Sequence, residues 1–222
     1  MDKEVRFDIR EQKNALREKY KQIRKEMPAD MKKVRDEKIL YKLTSLPVYK
    51  NCETVLTYVS TPIEVDTRML IAKALSDGKK VAVPKCIKGT RDMEFYLINS
   101  FDDLEEGSFS VLEPVPEKCV PLKKIKKAIC IVPALAYDRY GYRLGYGKGY
   151  YDRFLSAHKN VFKIGFGYCC CTETKLNHGR YDIPVDFLVT EKYVKNVGER
   201  RSSNAAFIGF SHIFGHTFKY IV

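Results

Sequence analysis

Hydrophobic residues near the start of the chain recur at helical spacing. Between residues 8 and 27, five of them lie seven, four, three and four positions apart: Ile9, Leu16, Tyr20, Ile23 and Met27. This spacing places them in one stripe along a helix over residues 8–27. Pro28 and Asp30 predict a break and the start of a second helix, over residues 30–46.

Further along the chain, short apolar runs alternate with helical segments. Strands are predicted over residues 53–60, 80–84, 93–98, 128–132, 161–168 and 187–189. Asp66 predicts the start of a helix that stops at Gly78, and another helix is predicted from about Gly149 to His158. Strands that are apolar throughout and alternate with helices are typical of parallel sheets. We therefore predict an α/β fold: a single domain with an open, largely parallel sheet and helices on both faces.

Two segments depart from this alternation. Residues 103–127 are rich in proline, lysine and glutamate, which predicts a long surface connection. After Asn196 the composition changes and clean periodicity ends. We therefore predict an α/β domain over residues 1–195 and a C-terminal tail over residues 196–222.

Composition and charge narrow the class of protein. The chain has 222 residues, 45% of them hydrophobic, which excludes a disordered protein. No apolar run approaches the ~20 residues of a membrane span, and the charged N-terminus lacks the apolar core of a secretory signal. The net charge of +12 favours anionic partners: nucleic acid, an acidic membrane surface, or small molecules with phosphate or carboxylate groups. Only about +2 of it lies between residues 51 and 191, which argues against a uniformly basic nucleic-acid coat.

The seven cysteines match neither a disulfide framework nor a zinc site. Their number is odd and no CxxC spacing occurs. Reduced thiols in a cytoplasm are therefore expected. The run Cys169–Cys171 follows the apolar segment FKIGFGY, which favours buried strand thiols over a reactive site.

The densest chemistry lies in residues 137–153, YDRYGYRLGYGKGYYDR. Four glycines fall within nine residues there: Gly141, Gly145, Gly147 and Gly149. The segment lies between a buried strand and a helix, where glycines let backbone N–H groups approach a phosphate. Lys148 and Arg143 can add positive charge. The Walker A and Rossmann glycine spacings are absent, and a plain Gly/Tyr surface loop is the alternative to the favoured phosphate-binding loop.

Several charged residues could complete such a site. Asp152 lies in the helix after the glycine loop, and Asp182 and Asp186 flank Pro184. Carboxylates near a phosphate commonly hold Mg²⁺, although turn chemistry explains Asp182 better and a structural role is equally open for the other two. The first helix carries a basic stripe of which one or two members are expected to reach a phosphate and the rest to face solvent: Arg10, Lys13, Arg17, Lys21 and Arg24. Histidine ligand patterns and a nucleophile elbow are absent.

The segment GYRLGYGKGYYDRFL, preceded by IVPALAYD, closely resembles the signature of 5-formyltetrahydrofolate cyclo-ligases, also called methenyltetrahydrofolate synthetases. KNALR, YVSTPIEVDT, VAVPK, MEFY, VLEP and IPVDFLVTE follow in the order of that family, so the resemblance runs from about residue 10 to 195. Ala134 and Ser110 stand where the family usually has glycine. The stretch CCCTETKLNHGR is unlike the usual family sequence, and the tail has no counterpart.

The resemblance implies an ATP- and Mg²⁺-dependent enzyme that converts 5-formyltetrahydrofolate into 5,10-methenyltetrahydrofolate, with release of ADP and phosphate. Phosphorylation of the formyl oxygen would create a leaving group, and N10 would then close the ring. Such chemistry relies on positioning and electrostatics rather than on a protein nucleophile.

The resemblance also implies roles for individual residues. Nucleotide contacts are expected from Lys13, Arg17, Arg143, Leu144, Gly145, Tyr146, Gly147, Lys148, Gly149, Tyr150 and Tyr151. Folate contacts are expected from Val59, Glu64, Tyr146, Gly147, Lys148, Gly149 and Tyr150. Catalytic roles fall to Lys148, Arg143 and Tyr151, and Mg²⁺ binding falls to Asp152 and Asp186.

Two other classes compete with this interpretation. A phosphosugar isomerase or an enzyme similar to acyl-CoA transferases could use a similar fold without ATP. An RNA-binding module would fit the pI of about 9.3, but RNP1-like, GXXG and arginine-rich signatures are absent. We expect small-molecule partners only, with neither nucleic acid nor membrane, and a monomer in the cytoplasm.

Overall fold

Five helices are present in the computed structural model, which describes residues 9–107 and 111–197. They are α1 (Ile9–Lys25), α2 (Ala29–Ser45), α3 (Pro47–Asn51), α4 (Arg68–Ser76) and α5 (Tyr150–Ala157). Four of them match the predicted helices to within a few residues, whereas α3 was not predicted because it spans a single turn. Within the described ranges, none of the helices is long and apolar enough to cross a membrane.

Most of the strands belong to one large sheet. In chain order, the strands of all sheets are β1 (Thr54–Leu56), β2 (Lys80–Cys86), β3 (Met93–Ile98), β4 (Leu104–Glu106), β5 (Leu112–Pro114), β6 (Val120–Pro121), β7 (Ala128–Val132), β8 (Ala136–Asp138), β9 (Arg143–Leu144), β10 (Phe162–Phe166), β11 (Thr172–Glu173), β12 (Phe187–Val189) and β13 (Val194–Asn196). The large sheet has the order β13-β12-β10-β7-β1-β2-β3-β6. Two small sheets, β11-β8-β9 and β4-β5, accompany it.

The five central strands of the large sheet, β12, β10, β7, β1 and β2, run parallel to one another. The edge strands β6 and β13, and β3 beside β6, are antiparallel to their neighbours. The predicted single α/β domain with a largely parallel sheet is therefore confirmed.

Helices cover both faces of this sheet because successive strand residues point in opposite directions. Val55 packs into a core cluster that contains Ile39 and Leu43 of α2 and Leu70 of α4. Its neighbour Leu56 packs into the second cluster, with Phe154 of α5. The near-continuous apolar runs of the strands are thus explained by burial on both sides.

The segment from residue 103 to 127 is more structured than its composition predicts. It contributes β4, β5 and β6, and β6 forms one edge of the large sheet. The backbone N–H of Leu122 donates to the carbonyl of Phe95 at 2.7 Å. These strands are two or three residues long, and β5 and β6 contain proline, so they depend on neighbours in the fold rather than on local periodicity.

Two strands end earlier than predicted. β1 ends at Leu56 rather than at residue 60, and β10 ends at Phe166 rather than at residue 168. After β10 the chain turns into a 3-10 helix over Cys169–Cys171. The expectation that these three cysteines are buried strand residues is therefore wrong for Cys170, which is exposed, and correct in burial only for Cys171.

The described domain extends slightly past the predicted boundary at residue 195. β13 continues to Asn196, and the side chain of Val197 is buried in the second core cluster. Most of the predicted tail, residues 198–222, lies outside the described residues, so the division at residue 195 stays a prediction.

Candidate active site

A cavity of about 690 Å³ opens at the carboxyl ends of β1, β2 and β7. Val59 follows β1, Cys86 ends β2 and Pro133 follows β7, and all three line it. The chain leaves β1 toward β2 on one side and leaves β7 toward β10 on the other. Ligands of open α/β proteins bind where the strand order reverses in this way. The topology therefore marks this cavity as the candidate active site.

The fold gathers almost all of the predicted site residues around this cavity. Its lining includes every residue expected to bind nucleotide or folate, from Lys13 and Arg17 through Val59 and Glu64 to the segment 143–151. Asp152 lines it as well. The roles of these residues stay predictions, but their assembly in one cavity is a property of the fold.

The glycine loop connects β9 to α5 and forms one wall of the cavity. Gly147 and Gly149 have φ angles of +92° and +76°, a region that favours glycine. Gly149 is the N-cap of α5, so backbone N–H groups at the start of that helix border the cavity. A Cβ atom on Gly147 would lie 3.1 Å from the guanidinium of Arg17. The backbone conformation therefore favours glycine at position 147, and a larger residue would also have to displace the Arg17 guanidinium by a few tenths of an ångström.

Helix α1 brings positive charge to this loop. The Nε of Arg17 donates to the carbonyl oxygen of Gly145 at 2.9 Å. Lys13 lies one turn earlier, and its Nζ is 3.1 Å from Oδ2 of Asp182. The sequence prediction that one or two members of the basic stripe reach the site is consistent with these positions.

One member of the same stripe departs from the prediction of a solvated face. Arg24 is only 3% exposed, and its guanidinium donates to the carbonyl oxygens of Ala134 and Leu135 at 2.7–3.1 Å. These carbonyls follow β7, so Arg24 fixes α1 against the sheet beside the cavity. Its burial could not be read from the helical spacing, because the spacing alone does not show which side of α1 meets the sheet.

Arg143 and Asp152 form an ion pair at the base of the glycine loop. Nη2 of Arg143 lies 2.6 Å from Oδ1 of Asp152. Nη1 of Arg143 donates to the carbonyl of Ile183 at 2.6 Å, and the N–H of Ile183 donates to Oδ1 of Asp152 at 3.0 Å. These three contacts tie β9, α5 and the loop around residue 183 together. Asp152 is thus positioned by its neighbours while its side chain stays 26% exposed.

The two aspartates around Pro184 are separated by the fold. Asp186 does not line the cavity: its carboxylate accepts from the backbone N–H and the Nζ of Lys163, both at 2.8 Å. Asp182 does line it. The expected pair of Asp152 and Asp186 is therefore not what the described cavity contains, because the turn between residues 182 and 186 directs the two carboxylates to different neighbours.

Asp182 also holds its own turn together. Its Oδ2 accepts from the N–H of Gly179 at 3.0 Å as well as from Lys13. Burial raises the pKa of this carboxyl, but the Gly179 hydrogen bond and the charges of Lys13 and Arg143 outweigh it, so the pKa lies below its ordinary value. Turn chemistry and a position in the cavity are thus combined in one residue. The sequence showed only the turn.

Glu64 and Tyr146 meet across the cavity. The hydroxyl of Tyr146 donates to Oε1 of Glu64 at 3.1 Å, and Oε2 accepts from the N–H and the hydroxyl of Thr61, each at 2.9 Å. Glu64 is only 6% exposed. Burial, and then the negative charge of Glu64, raise the pKa of Tyr146, so its phenol stays protonated. A buried carboxylate of this kind suits a ligand edge rich in N–H donors.

The hydroxyl of Tyr151 is buried and has no hydrogen-bond partner. Among the described residues, it is the one buried side-chain oxygen or nitrogen without a partner. Tyr151 lines the cavity, and burial raises its pKa well above the ordinary value. An unpaired buried hydroxyl costs about 1–3 kcal/mol. A bound ligand or water that hydrogen-bonds to this group would remove that cost.

A further part of the cavity lining is largely apolar. Sequence reasoning did not single out its members: Tyr58, Ile63, Pro84, Cys86, Met93 and Pro133. They come from distant parts of the chain and read locally as ordinary core residues. Their presence gives the cavity, besides its charged groups, an apolar surface suited to a flat organic ring.

The cavity can accommodate Mg²⁺ only in a particular manner. Among the described residues, no group of three or more His, Cys, Asp or Glu side chains could enclose a metal ion. Mg²⁺, however, is often held by one or two carboxylates together with substrate phosphates and water. The carboxylates of Asp152 and Asp182 supply such a partial set. The donor chemistry therefore fits a metal that arrives with a phosphorylated ligand.

Comparison with known proteins agrees with this geometry. A sequence model of the 5-formyltetrahydrofolate cyclo-ligase family matches residues 9–191. A probable 5-formyltetrahydrofolate cyclo-ligase of Schizosaccharomyces pombe is 34% identical over 178 residues, which cover 72% of this chain and 85% of the relative. The cyclo-ligase of Escherichia coli K12 is 28% identical over 158 residues, covering 69% and 86%.

A solved structure also has the same fold. The NMR structure of Aquifex aeolicus 5,10-methenyltetrahydrofolate synthetase superimposes with a TM-score of 0.74 at 33% identity, covering 87% of this chain and 97% of the other. The family match includes every strand of the large sheet except β13, and it includes every residue that lines the candidate site. The chain belongs to the 5-formyltetrahydrofolate cyclo-ligase family of enzymes.

Proposed function

We propose that this protein uses Mg-ATP to convert 5-formyltetrahydrofolate into 5,10-methenyltetrahydrofolate, releasing ADP and phosphate. The observation that carries the proposal is a single cavity whose lining combines a glycine loop and four basic side chains with a largely apolar set of residues. A nucleotide triphosphate and a folate ring system would each find a matching surface there, side by side.

The basic side chains of the cavity would bind and orient the triphosphate. Lys13 and Arg17 extend from α1, and Lys148 lies in the glycine loop itself. Fixed charges of this kind stabilise the charge that develops on a transferring phosphoryl group. Arg143 is 6% exposed and engaged by Asp152 and Ile183, so its contribution would be to hold the loop in shape.

Asp152 is the first candidate ligand for Mg²⁺, which would bridge phosphate oxygens and neutralise part of their charge. Two aspartates are candidates for the second carboxylate ligand of Mg²⁺. The resemblance favours Asp186, whereas the cavity lining favours Asp182. We propose Asp182, because Asp186 is engaged by Lys163 outside the cavity.

The apolar part of the lining would hold the folate. Glu64 would accept hydrogen bonds from the N–H donors of the pterin, and Tyr146 would keep Glu64 in place. The unpaired hydroxyl of Tyr151 would donate a hydrogen bond to an oxygen of a ligand in the cavity. A dry pocket around the formyl group would also protect a phosphorylated intermediate from water.

The direct test is to incubate the protein with 5-formyltetrahydrofolate and to follow methenyl product by absorbance, with and without Mg-ATP. We expect product only when ATP and a divalent metal are both present, with one phosphate released per product. Equal turnover without nucleotide would contradict the proposal and would favour an isomerase- or transferase-like activity.

We also propose that the protein acts as a monomer in the cytoplasm. All seven cysteines are free rather than paired in disulfides, which favours a reducing compartment. One relative, from Arabidopsis thaliana, is named as mitochondrial, so the compartment requires its own test. Sedimentation of the purified protein and fractionation of cells that produce it would check the two statements.

A further inference from the structure

Three consecutive cysteines form the 3-10 turn after β10, on the side of α2. Cys171 is fully buried, whereas Cys170 is exposed to solvent. The Sγ atoms of Cys170 and Cys171 lie 3.9 Å apart. The turn therefore presents one accessible thiol with a second, inaccessible thiol directly behind it.

A cation from another element faces the accessible thiol. Nη1 of Arg35, on α2, lies 3.3 Å from the Sγ of Cys170. The nearest opposing charge is Glu191, whose Oε1 is 3.9 Å from the Nε of Arg35 and whose Oε2 accepts from the N–H of Cys169. The carboxylate thus interacts with the guanidinium and the turn backbone, and the guanidinium contacts the sulfur. This arrangement favours the thiolate form of Cys170.

The two neighbouring thiols have opposite tendencies. The pKa of Cys170 is lowered to about 6, chiefly by the hydrogen bond with Cys171 and then by the charge and hydrogen bond of Arg35, while burial, the second-largest effect, and Glu191 oppose them. Cys171 is raised in pKa by its hydrogen bond to Cys170 and by burial, so it keeps its proton and donates it to the neighbouring sulfur. The thiols of Cys52, Cys86, Cys119 and Cys130 all have raised pKa values, with burial as the largest cause.

We propose that Cys170 is a nucleophilic thiolate site, stabilised by Arg35 and by the S–H of Cys171, that reacts with peroxides and soft electrophiles. With hydrogen peroxide, the sulfur attacks one oxygen, so an S–O bond forms as the O–O bond breaks. Cys170 becomes a sulfenic acid, oxidised by two electrons, and the second peroxide oxygen leaves as hydroxide, which an acid of the buffer protonates to water. The site lies outside the cavity lining and is independent of the proposed folate reaction.

The size of the effect follows from the thiolate fraction. At pH 6 about half of a thiol with a pKa of about 6 is ionised, against about 0.3% of one with the ordinary value near 8.5. A more acidic thiolate is intrinsically a weaker nucleophile, which offsets about tenfold of this ratio. We therefore expect native Cys170 to react about tenfold faster at pH 6 than the same residue in the unfolded chain.

The experiment labels the full-length protein with iodoacetamide between pH 5 and 9 and locates the modification by fragmentation of the peptide that carries Cys169–Cys171. The urea-unfolded protein supplies the reference for each cysteine. We expect the labelling of native Cys170 to rise with pH through a midpoint near 6. Treatment with hydrogen peroxide followed by a sulfenic-acid trap should mark the same residue, and Cys170→Ser should abolish the product.

Variants of the two neighbours separate this proposal from simple exposure. Arg35→Gln should raise the midpoint and slow labelling at pH 6 several-fold, and Cys171→Ala should do the same, whereas Cys171→Ser retains a donor and should have a smaller effect. Circular dichroism would establish that each variant is folded. A native midpoint at or above that of the unfolded chain, or one that Arg35→Gln leaves unchanged in a folded protein, would overturn the proposal.

Discussion

Single residues in the candidate site differ in how strongly neighbours fix them. Glu64, Arg143 and Asp152 are each held by at least two hydrogen bonds, of which at least one comes from a distant segment. Lys148 lies on the exposed surface of the glycine loop. The first group is preorganised by the fold, and loss of such a residue would disturb several elements. Lys148 can be removed with less effect on the rest of the molecule.

Lys148→Ala should therefore lower kcat by about 10²–10³-fold, because one fixed charge is lost where phosphoryl charge develops. The KM for folate should change less, since the interaction strengthens in the transition state. Steady-state kinetics and a melting curve would check this. Lys159→Ala, in an exposed lysine outside the cavity, is the matched control. Near-normal turnover of Lys148→Ala would remove this side chain from the chemistry.

The three aspartates give a direct test of the metal site. Asp152→Asn and Asp182→Asn should each raise the Mg²⁺ concentration needed for half-maximal turnover, and added Mg²⁺ should restore part of the activity. Asp186→Asn should leave that concentration unchanged and lower Tm, because its carboxylate pairs with Lys163. The reverse outcome, with a shift for Asp186→Asn and none for Asp182→Asn, would return the second ligand to Asp186.

The depressed pKa of Asp182 also has a consequence for stability. A carboxyl with a lower pKa in the folded than in the unfolded state stabilises the fold above the unfolded value, ordinarily 3.8, and loses this effect as pH falls through the folded value. The Tm difference between the wild type and Asp182→Asn should therefore be largest near neutral pH and shrink below pH 4. Melting curves from pH 2.5 to 7 would show it. A difference that grows on acidification would contradict this assignment.

At the scale of elements, close packing explains why one position within a strand is glycine, although the hydrophobic pattern gives no reason for a glycine there. Gly165 in β10 lies against the ring of Tyr137, and a Cβ there would be 2.6 Å from the Cζ atom of that ring. The hydroxyl of Tyr137 donates to the carbonyl of Val132 at 2.5 Å, so the ring cannot easily move away. This contact joins β8, β7 and β10 directly beneath the glycine loop.

Gly165→Ala should consequently destabilise the protein by about 1–3 kcal/mol, the usual cost of an overpacked core. Chemical denaturation would measure it. Gly179→Ala is the matched control, because a Cβ at this exposed turn would contact no neighbour within 4 Å. If both variants unfold at the same denaturant concentration as the wild type, Tyr137 is free to adjust and the packing argument is wrong.

At the scale of the whole molecule, the large sheet is complete within the described residues. β13 closes one edge at Asn196, Val197 is buried behind it, and the family match ends at residue 191. Among the described residues, none beyond Asp182 lines the cavity. The folded enzyme thus contains its proposed site within the part of the chain that resembles the family.

Deletion of residues 200–222 should therefore leave turnover within a few-fold of the full chain and Tm nearly unchanged. The measurement is the same absorbance assay and melting curve on both proteins. A deletion that ends one strand earlier, at residue 191, removes β13 and Val197 and should lower Tm clearly. Loss of folding or activity on removal of residues 200–222 alone would show that the tail contributes to the domain.

The sequence by itself determined the central architecture, since β3, β7 and β12 have the predicted bounds and α5 begins one residue after Gly149. Buried strands and amphipathic helices carry their signal locally, in periodicity and caps. The glycine loop could be recognised for the same reason, because its glycines and basic residues are neighbours in the sequence.

Only the tertiary structure decided which distant residues meet. The burial of Arg24, the separation of Asp182 from Asp186 and the apolar wall of the cavity depend on contacts between segments far apart in the chain. The same holds for the short strands between residues 104 and 121, and for Cys170, whose Arg35 neighbour lies 135 positions earlier. Local spacing does not contain these pairings, because they arise when the sheet brings the ends of its strands to one edge.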